Sequence, residues 1–497
     1  MTVRELAAEL EGARVTGPDG AIVAGLALDS RRVRPGDVFF ALPGAKADGA
    51  RFAEAAIAAG AGAVVGPVGA RWPGATTIEV AEPRLALAQA ACAFHGNPSA
   101  TLDVVAVTGT NGKTTTTYMA EAIGRAAGLR CGVIGTTGVR IEGVTEPSAF
   151  TTPEAPELQA HLARMRTLGV TLVAIEVSSH ALVQRRAWGL QPRACVFTNL
   201  TQDHLDYHGT MDAYRDAKLM LFDGRNGGGR GREWIAGVNA DDPASGAVVT
   251  AAATGHASST VRFGAAPGPD LRAHVLATLP HGLRLRLEGA LGGRAIAREL
   301  VLPLLGRFNA LNAAGAFVAT VATAIASEDQ AVRGLEAFAG VPGRLERVEA
   351  GQPFGVVVDY AHTPDALERA LAACREHAPG RVLCVFGCGG DRDRGKRPRM
   401  GAIAAAGADR AWVTNDNPRS EDPAAIAREI AAGAPGAALA VVLDRRAAIA
   451  EALAAARAGD IVLIAGKGHE TTQTIGAEVL PFDDRAVARE ALGAGRT

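Results

Sequence analysis

The chain has few of the features that mark secreted, membrane-spanning or nucleic-acid-binding proteins. Its 497 residues carry 51 basic and 52 acidic side chains, so no excess of positive charge favours nucleic acid or an anionic membrane. No apolar run reaches the roughly 18 residues that a membrane helix needs, and 313–326 is typical of a buried helix. The N-terminus has no basic stretch followed by an apolar one, which argues against export. We expect a cytoplasmic protein that binds no nucleic acid and inserts into no membrane.

Cysteine and lysine are also scarce. The six cysteines form no C-x-x-C pair, so we expect reduced thiols in the core rather than disulfides or a metal site. Arginine supplies nearly all of the basic residues, and the few lysines stand at Lys46, Lys113, Lys218, Lys396 and Lys467. A lysine that persists in such a chain marks a position where a planar guanidinium would not serve.

What is present is enough length and apolar content, 48%, for about three domains. Turn-rich segments near 95–99 and 341–344 predict domain boundaries, which gives domains 1–98, 99–337 and 338–497. Alternating strands and helices predict an α/β fold: a small α/β domain, a central domain with a mainly parallel sheet, and a Rossmann-like, doubly wound C-terminal domain. We also expect a strand over 21–27, a helix over 50–59, several short strands over 258–296 and a helix over 308–326.

Residues 107–115, VTGTNGKTT, follow an apolar strand and precede a helix, which predicts a phosphate-binding loop and a central ATPase domain of the P-loop type. Gly109 and Gly112 let backbone N–H groups close on phosphate oxygens. Lys113 is then expected at the β- and γ-phosphates, and Thr114 at Mg²⁺. Val107 stands where the strict motif has glycine, so the loop is a variant.

The loop alone leaves the use of the nucleotide open. A GTPase would need an Asn-Lys-x-Asp motif, and none of the lysines is placed in one. A plain ATPase switch remains an alternative. Glu176 stands at the end of the next apolar strand, where its carboxylate could bind the metal near the phosphates.

Ordered motifs along the whole chain resemble the Mur ligase family, ATP-dependent enzymes that join an amino acid to a growing peptidoglycan precursor. The motifs are DSR at 29–31, GDVFFAL at 36–42, the phosphate loop, TNLTQDHLDYH at 198–208, DYAHTP at 359–364, GCGGDRD at 387–393, DNPR at 416–419 and GKGHE at 466–470. The resemblance implies three domains that bind a UDP-sugar, ATP and the incoming amino acid. It also implies a monomer in which ATP phosphorylates the terminal carboxylate of UDP-MurNAc-L-Ala-D-Glu before an amine attacks the acyl phosphate.

The resemblance assigns the catalytic and metal-binding residues that this chemistry needs. Lys113, Glu176, His204 and Lys218 are the expected catalytic residues, with Mg²⁺ held by Thr114, Glu176, His204 and a Lys218 carbamylated by CO₂. The spacing His204-x-x-x-His208 could alone suggest zinc, but no H-E-x-x-H motif accompanies it. The expected ATP-binding residues are Gly109, Thr110, Asn111, Gly112, Lys113, Thr114, Thr115, Asn309 near adenine and Arg344 near phosphate.

Two further residue sets follow from the resemblance. For the UDP-MurNAc-peptide they are Leu28, Ser30, Ala45, Lys46 and Ala47 around the uridine diphosphate, and Thr151, Thr152, Ser178, Gln184 and Arg186 at the muramoyl peptide. The other set would bind meso-diaminopimelate: Arg392, Asp416, Asn417, Pro418, Arg419, Gly466 and Glu470.

Arg419 decides which amino acid is expected. Meso-diaminopimelate differs from lysine by a second carboxylate, which a guanidinium grips with two parallel hydrogen bonds. Diaminopimelate-adding members show Asp-Asn-Pro-Arg, whereas lysine-adding relatives lack the arginine. Glu470 would face the distal ammonium. The alternatives are a lysine-adding ligase, a folylpolyglutamate synthase, or a nucleotide-dependent binding protein without catalysis.

Overall fold

Three β-sheets carry most of the backbone pairing in the computed structural model, which describes residues 1–44, 48–227, 232–436 and 439–494. The chain divides into two compact units. One comprises Met1–Arg272, Gly289–Ile296 and Asn312–Gly334, and the other Ala273–Glu288, Ala297–Leu311 and Leu335–Thr497. None of the helices in the described ranges is long and apolar enough to cross a membrane. All six cysteines are described, buried and unpaired, which confirms the prediction of core thiols.

The first sheet is covered on both faces. Phe39 and Phe40 are neighbours on one strand, point to opposite faces and are buried in separate apolar clusters. The elements are α1 Val3–Ala8, β1 Arg14–Thr16, β2 Gly25–Ala27, β3 Asp37–Phe40, α2 Ala53–Ala58, β4 Ala63–Pro67, β5 Thr76–Val80 and α3 Pro83–Phe94. The strand order is β1-β5-β4-β3-β2, and β1 alone of these five strands is antiparallel to its neighbour.

Two predicted elements of this segment are shorter in the structure. The strand expected over 21–27 is reduced to β2, because Ala21 O and Val23 N pair with the N-terminal residues Val3 and Met1. The helix expected over 50–59 opens with a 3₁₀ turn, Gly49–Phe52, and is α-helical only from Ala53 to Ala58.

The central sheet brings the ends of several parallel strands to one edge. Its elements in the first unit are β6 Asp103–Thr108, α4 Lys113–Ala126, β7 Cys131–Gly135, β8 Gly138–Ile141, β9 Val144–Glu146, α5 Ala155–Thr167, β10 Leu172–Glu176, α6 Ser179–Val183, β11 Ala194–Phe197, α7 Leu205–His208, α8 Met211–Leu219, β12 Ile235–Asn239, α9 Ser245–Thr254 and β13 Ser259–Gly264. The order is β13-β12-β11-β6-β10-β7-β8-β9, parallel except for the hairpins of β7, β8 and β9. In the register, Glu176 pairs with Val107, and Phe197 with Thr108.

The strands expected over 258–296 are longer than predicted. The next elements are β14 Leu271–Leu279, β15 Gly282–Leu291, β16 Arg294–Leu302, α10 Asn309–Val321 and α11 Glu328–Glu336. In β15, Leu283, Leu285 and Leu287 are buried and alternate with exposed charged residues, so one strand continues where short ones were expected. The helix expected over 308–326 ends at Val321, shortly before Ala324, whose φ is 58°.

The C-terminal segment is a doubly wound sheet. Its elements are β17 Glu346–Arg347, β18 Gly355–Asp359, α12 Pro364–His377, β19 Val382–Phe386, α13 Lys396–Gly407, β20 Arg410–Val413, α14 Pro423–Ala431, β21 Leu439–Val441, α15 Arg445–Ala455, β22 Ile461–Ala465, β23 Thr472–Ile475, β24 Glu478–Pro481 and α16 Asp484–Ala494. The order is β17-β18-β22-β19-β20-β21, and all pairs except β17–β18 are parallel. The chain leaves β18, β19, β20 and β22 at the same edge, where ligands of such sheets bind. The predicted α/β fold is confirmed.

Candidate active site

The predicted phosphate loop connects β6 to α4 at the carboxyl edge of the central sheet. Gly109 and Gly112 have φ of 150° and 85°, and a Cβ at Gly109 would stand 1.9 Å from Thr198 Oγ1. The Lys113 amine donates to the carbonyls of Gly109 and Thr110, both at 2.8 Å. The carbonyl oxygens of the loop therefore hold the Lys113 amine against the loop, where a phosphate would meet a positive charge.

The end of β11 holds this loop in shape. Asn111 N donates to Asn199 Oδ1 at 2.9 Å, and Thr198 Oγ1 donates to Asn111 O at 2.6 Å. The hydroxyls of Thr110 and Tyr214 lie 3.1 Å apart. Side chains about 90 to 100 residues away along the chain thus fix the loop before any nucleotide binds.

Thr114 and Glu176, two of the predicted metal ligands, stand at the ends of adjacent elements. Thr114 is buried in the first turn of α4, next to the half-buried Thr115. Glu176 ends β10, where its Oε1 accepts from Thr136 N at 2.8 Å and its Oε2 lies 3.2 Å from the Thr136 hydroxyl. The carboxylate is thereby oriented at the same sheet edge as the phosphate loop.

Lys218, on α8, reaches the phosphate loop from the other side. Its Nζ donates to Gly109 O at 2.8 Å, the same oxygen that accepts from Lys113. The side chain is 2% exposed, and no carboxylate of the described residues lies within 4.0 Å of its amine. Burial, followed by the charge of Lys113, holds the pKa of Lys218 well below its usual value. A neutral amine in this position is what carbamylation needs.

His204 precedes the short helix α7 with φ 53°. Its ring packs edge-on against His180 at 4.8 Å, and its Nε2 lies 3.5 Å from Asp203 Oδ2. His208 turns elsewhere, with Nε2 2.9 Å from Ser179 Oγ. Burial and the two neighbouring imidazoles lower the pKa of His180 to about 4. The ring nitrogens of His204 and His208 therefore have different polar partners, although both rings pack against His180 and Tyr214.

The residue types in the predicted metal set fit Mg²⁺. Among the described ranges, no three His, Cys, Asp or Glu side chains are grouped as a protein-only metal site would require. The predicted set instead combines one carboxylate, one hydroxyl, one imidazole and a modified lysine. Mg²⁺ usually keeps water and substrate phosphate oxygens in its coordination sphere and takes only one or two carboxylates from the protein.

Most residues predicted to hold the muramoyl peptide form one network beside Glu176. Thr152 Oγ1 donates to Glu176 O at 2.9 Å and accepts from Ser178 N at 3.1 Å. Arg186 donates to Gln184 Oε1 at 2.6 Å and to Thr152 O at 3.4 Å. Thr151 joins this network through its hydroxyl, which lies 3.1 Å from the hydroxyl of Thr136. Arg186 is also ion-paired to Glu154 at 3.0 Å.

The residues predicted around the uridine diphosphate are only partly visible. Leu28 lines a groove of about 780 Å³ together with Arg31, Arg32 and Glu157. Ser30 begins a 3₁₀ turn that the Asp29 carboxylate caps. The other predicted contacts, Ala45, Lys46 and Ala47, lie outside the described residues.

Asn309 and Arg344, predicted to bind ATP, belong to the second unit. Asn309 is buried and donates from Nδ2 to Leu305 O at 2.7 Å. The Arg344 guanidinium lies over the Tyr360 ring at 4.9 Å. Burial raises the pKa of the neighbouring Asp359 to about 6, against the opposing charge of Arg344.

The predicted diaminopimelate residues meet at the carboxyl ends of β19, β20 and β22. Asn417 Nδ2 donates to Glu470 Oε2 at 2.9 Å. Arg419, at φ 51°, donates from Nη1 to Gly390 O at 2.7 Å and bridges to Ile475 of β23. A carboxylate and a guanidinium are therefore presented from one group of loops.

Close packing of glycines keeps these loops together. A Cβ at Gly466, where φ is 120°, would stand 2.9 Å from Asp416 Oδ2. A Cβ at Gly390 would stand 1.9 Å from Pro418 O. The neighbouring Gly389 leaves room for two arginines, because a Cβ there would stand 3.0 Å from Arg419 Nη1 and 3.8 Å from Arg392 Cγ.

Sequence reasoning missed several residues that shape the two sites. Asn199 and Tyr214 fix the phosphate loop, and Gln473 Nε2 donates to Asp416 O at 2.9 Å. Asn199 and Tyr214 carry no local signal of this role, because their partners are distant in the chain. Gln473 lies on the β23–β24 hairpin, whose Gly476-Ala477 turn is a recognisable hairpin signal.

Family models match three successive stretches of the chain. The Mur ligase family, catalytic domain, matches 22–95; the Mur ligase middle domain matches 107–320; and the Mur ligase, glutamate ligase domain, matches 343–468. Folylpolyglutamate synthase from Mycobacterium tuberculosis, at 19% identity and TM-score 0.62 over 82% of this chain and 95% of that one, shares the fold. So does MurF from Acinetobacter baumannii, at 20% identity and TM-score 0.62 over 99% and 98%.

Much closer relatives cover nearly the whole length. Two proteins named UDP-N-acetylmuramoyl-L-alanyl-D-glutamate--2,6-diaminopimelate ligase are similar: that of Solibacter usitatus is 45% identical over 98% of this chain and 96% of its own, and that of Geobacillus thermodenitrificans is 44% identical over 99% of both. A solved structure of an enzyme with the same name matches at 34% identity and TM-score 0.72 over 100% of this chain and 99% of that one. With such identity over its full length, the chain belongs to the Mur ligase family.

Proposed function

We propose that this protein is an ATP-dependent ligase that joins meso-diaminopimelate to UDP-MurNAc-L-Ala-D-Glu and releases ADP and phosphate. The reaction is a step of peptidoglycan synthesis, and we propose that the protein performs it in the cytoplasm, as a monomer, with Mg²⁺. The proposed domains are 1–98 for the UDP-sugar, 99–337 for ATP and 338–497 for the amino acid.

The observation that carries the choice of amino acid is the Asn417–Glu470 hydrogen bond in the same loops as Arg419. Meso-diaminopimelate has an ammonium and a carboxylate on its distal carbon. Glu470 supplies the negative partner and Arg419 the positive one. L-Lysine has only the ammonium, so it would leave the Arg419 guanidinium without a carboxylate partner. The names of the relatives agree with this choice.

The first chemical step transfers a phosphoryl group. A carboxylate oxygen of the substrate attacks the γ-phosphorus, and the bond from that phosphorus to the ADP oxygen breaks. The phosphate loop and Lys113 neutralise the charge on the nucleotide, while the Thr152–Arg186 network orients the muramoyl peptide beside Glu176. When bound, Mg²⁺ supplies further charge neutralisation at the phosphates, held by Thr114, Glu176, His204 and carbamylated Lys218.

The second step forms the amide. The amine nitrogen of diaminopimelate attacks the acyl carbon, the carbon–oxygen bond to phosphate breaks, and the nitrogen loses its proton. Asn417, Arg419 and Glu470 would hold the distal end of the amino acid, so that only the other amine is presented. Positioning of this kind accounts for most of what the protein must supply, since the acyl phosphate is already reactive.

A coupled assay of ADP and phosphate release tests the proposal. We expect turnover only when ATP, Mg²⁺, UDP-MurNAc-L-Ala-D-Glu and meso-diaminopimelate are present together. Omitting either acceptor substrate should leave only background hydrolysis, which separates a ligase from an ATPase switch. Equal turnover with L-lysine at low concentration would refute the specificity, and no turnover with either amino acid would refute the ligase.

A further inference from the structure

Lys467 is a buried cation inside the loops that carry the predicted diaminopimelate residues. Its side chain is 0% exposed, which is rare for lysine unless the amine is paired. The Nζ lies 3.2 Å from Glu470 Oε2, 3.2 Å from Asn417 Oδ1 and 3.8 Å from Asp416 Oδ1. Each of these three acceptors belongs to a residue of the predicted pocket, whereas Lys467 itself is screened from solvent.

The amine and a backbone N–H together determine which way the Asn417 amide faces. Asn417 Oδ1 accepts from Lys467 and, at 3.0 Å, from the backbone N–H of Thr474. Two donors on one side require the oxygen there, so the NH₂ group must point to the other side. That group donates to Glu470 Oε2 at 2.9 Å.

Glu470 is consequently held by one of its two oxygens. Both the Asn417 amide and the Lys467 amine donate to Oε2, and no donor of the described residues is bonded to Oε1. The side chain is 32% exposed, in contrast to the buried lysine behind it. The free oxygen therefore remains available to an ammonium group of a ligand.

The geometry explains why the residue is a lysine in a chain that otherwise uses arginine. A lysine ammonium directs three hydrogens to separate acceptors from a compact centre, whereas a guanidinium presents its donors in one plane. The acceptors on Asp416, Asn417 and Glu470 come from two different loops. A planar group of larger size cannot reach all three in the same space.

We propose that Lys467 is a positioning residue that sets the preference of the pocket for meso-diaminopimelate over L-lysine, an inference that rests on the proposed function. By fixing Asn417 and one oxygen of Glu470, it orders the site that receives the distal ammonium. Its own positive charge disfavours a ligand end that carries an ammonium alone and favours one that also carries a carboxylate.

The test compares steady-state kinetics of the wild type, Lys467→Met and Lys396→Met. For Lys467→Met we expect KM for meso-diaminopimelate to rise at least about tenfold, the effect of losing hydrogen bonds to charged groups, while KM for ATP changes less than about twofold. The ratio of kcat/KM for meso-diaminopimelate to that for L-lysine should fall by a similar factor. Lys396, whose amine donates to His362 O at 2.9 Å, is the matched control and should keep the wild-type ratio.

Each outcome decides the matter. If Lys467→Met keeps the wild-type KM and ratio, or loses activity with both amino acids equally, the positioning role is wrong and the ligase assignment stands. If the wild type shows no turnover with diaminopimelate, the proposed function and this inference fail together. If Lys467→Met does not fold, Lys467→Arg decides: it retains the charge but not the contacts to all three acceptors, so KM for meso-diaminopimelate should rise, and an unchanged KM would overturn the positioning role.

Discussion

Two lysine amines end on one carbonyl oxygen in the phosphate loop. Lys113 Nζ and Lys218 Nζ each lie 2.8 Å from Gly109 O. Two ammonium groups so close would repel each other, and burial of Lys218 removes the water that could screen them. Burial first, and then the charge of Lys113, lower the pKa of Lys218, which favours the neutral amine that reacts with CO₂.

The first residue-scale prediction concerns Lys218. Lys218→Arg should lower kcat by at least about a hundredfold, because a guanidinium stays protonated and forms no carbamate that could bind Mg²⁺. Lys218→Ala should be similarly inactive in buffer and regain part of its activity with added short-chain carboxylic acids, which fill the space with a carboxylate. Initial rates with saturating substrates measure both effects, and an active Lys218→Arg enzyme would contradict the carbamate.

At this scale the sequence predicted motif residues better than it predicted their partners. Glu176 was identified from its place at a strand end and Lys218 from the family resemblance, and the structure places both beside the phosphate loop. Their orientation depends on Thr136 and Gly109, which lie 40 and 109 residues away in the chain. Lys467 stood inside a recognised motif, but only the fold brings it to Asn417, 50 residues away.

Helix α4 has a glycine with positive φ at each end, and only one of them touches the site. Gly112 has φ 85°, and a Cβ there would stand 2.3 Å from Asn312 Oδ1. Gly128, beyond the other end, has φ 80°, with nothing within 4 Å of an added Cβ. A side chain would be strained by the positive φ at either position, but only at Gly112 would it also clash with a neighbouring residue.

This pair gives an element-scale prediction. Alanine at either position should destabilise the fold by about 1 kcal/mol, because an L side chain disfavours the left-handed region. Gly112→Ala should also raise KM for ATP at least about tenfold, since the loop must move to relieve the clash. Thermal melts and ATP titrations of both variants are the measurement. Equal ATP affinities would show that the loop geometry is not critical.

Some elements were beyond local sequence reasoning, and others were not. The β23–β24 hairpin was missed although its Gly476-Ala477 turn marks it, and β15 was split although its leucines alternate without interruption. The shortening of the strand expected over 21–27 had no such signal. Residues 21 and 23 look like strand, but they pair with the N-terminus, which local periodicity cannot show.

Over the whole molecule, burial shifts the pKa values of histidines and carboxyl groups in opposite directions. Burial lowers the pKa of His95, His161, His362, His377 and His469, whereas it raises the pKa of Asp359 to about 6. The histidines make folding weaker as the pH falls below about 6.5, because the unfolded chain then binds more protons. Asp359, whose pKa is raised, has the opposite effect on the pH dependence of stability. The contribution of one group is therefore best measured as the difference between the wild type and a variant that lacks it.

His377 is suited to this, because its two nitrogens have defined roles. Its Nδ1 lies 2.7 Å from Leu279 O, an acceptor, and its Nε2 accepts from Gly306 N at 3.1 Å. Protonation of Nε2 would place its N–H against the N–H of Gly306, so the hydrogen bond between them would be lost. The neutral ring thus joins three stretches of the second unit, and its contribution is lost as the pH falls from the unfolded pKa, about 6.5, toward the lower folded value.

The last prediction follows from that sign. His377→Gln should lower the melting temperature clearly at pH 8 and less at pH 5.5. The reason is that acid removes from the wild type the stabilisation by the neutral His377 ring, which the variant lacks at every pH. The gap in unfolding free energy should shrink by up to about 1.4 kcal/mol per pH unit between the two pKa values. Melting curves from pH 8 to 5.5 measure it, with His281→Gln as the exposed control that should follow the wild type. The carboxyl groups titrate alike in all three proteins and cancel, so a gap that is constant or grows in acid would mean that His377 is not held neutral by its two backbone partners.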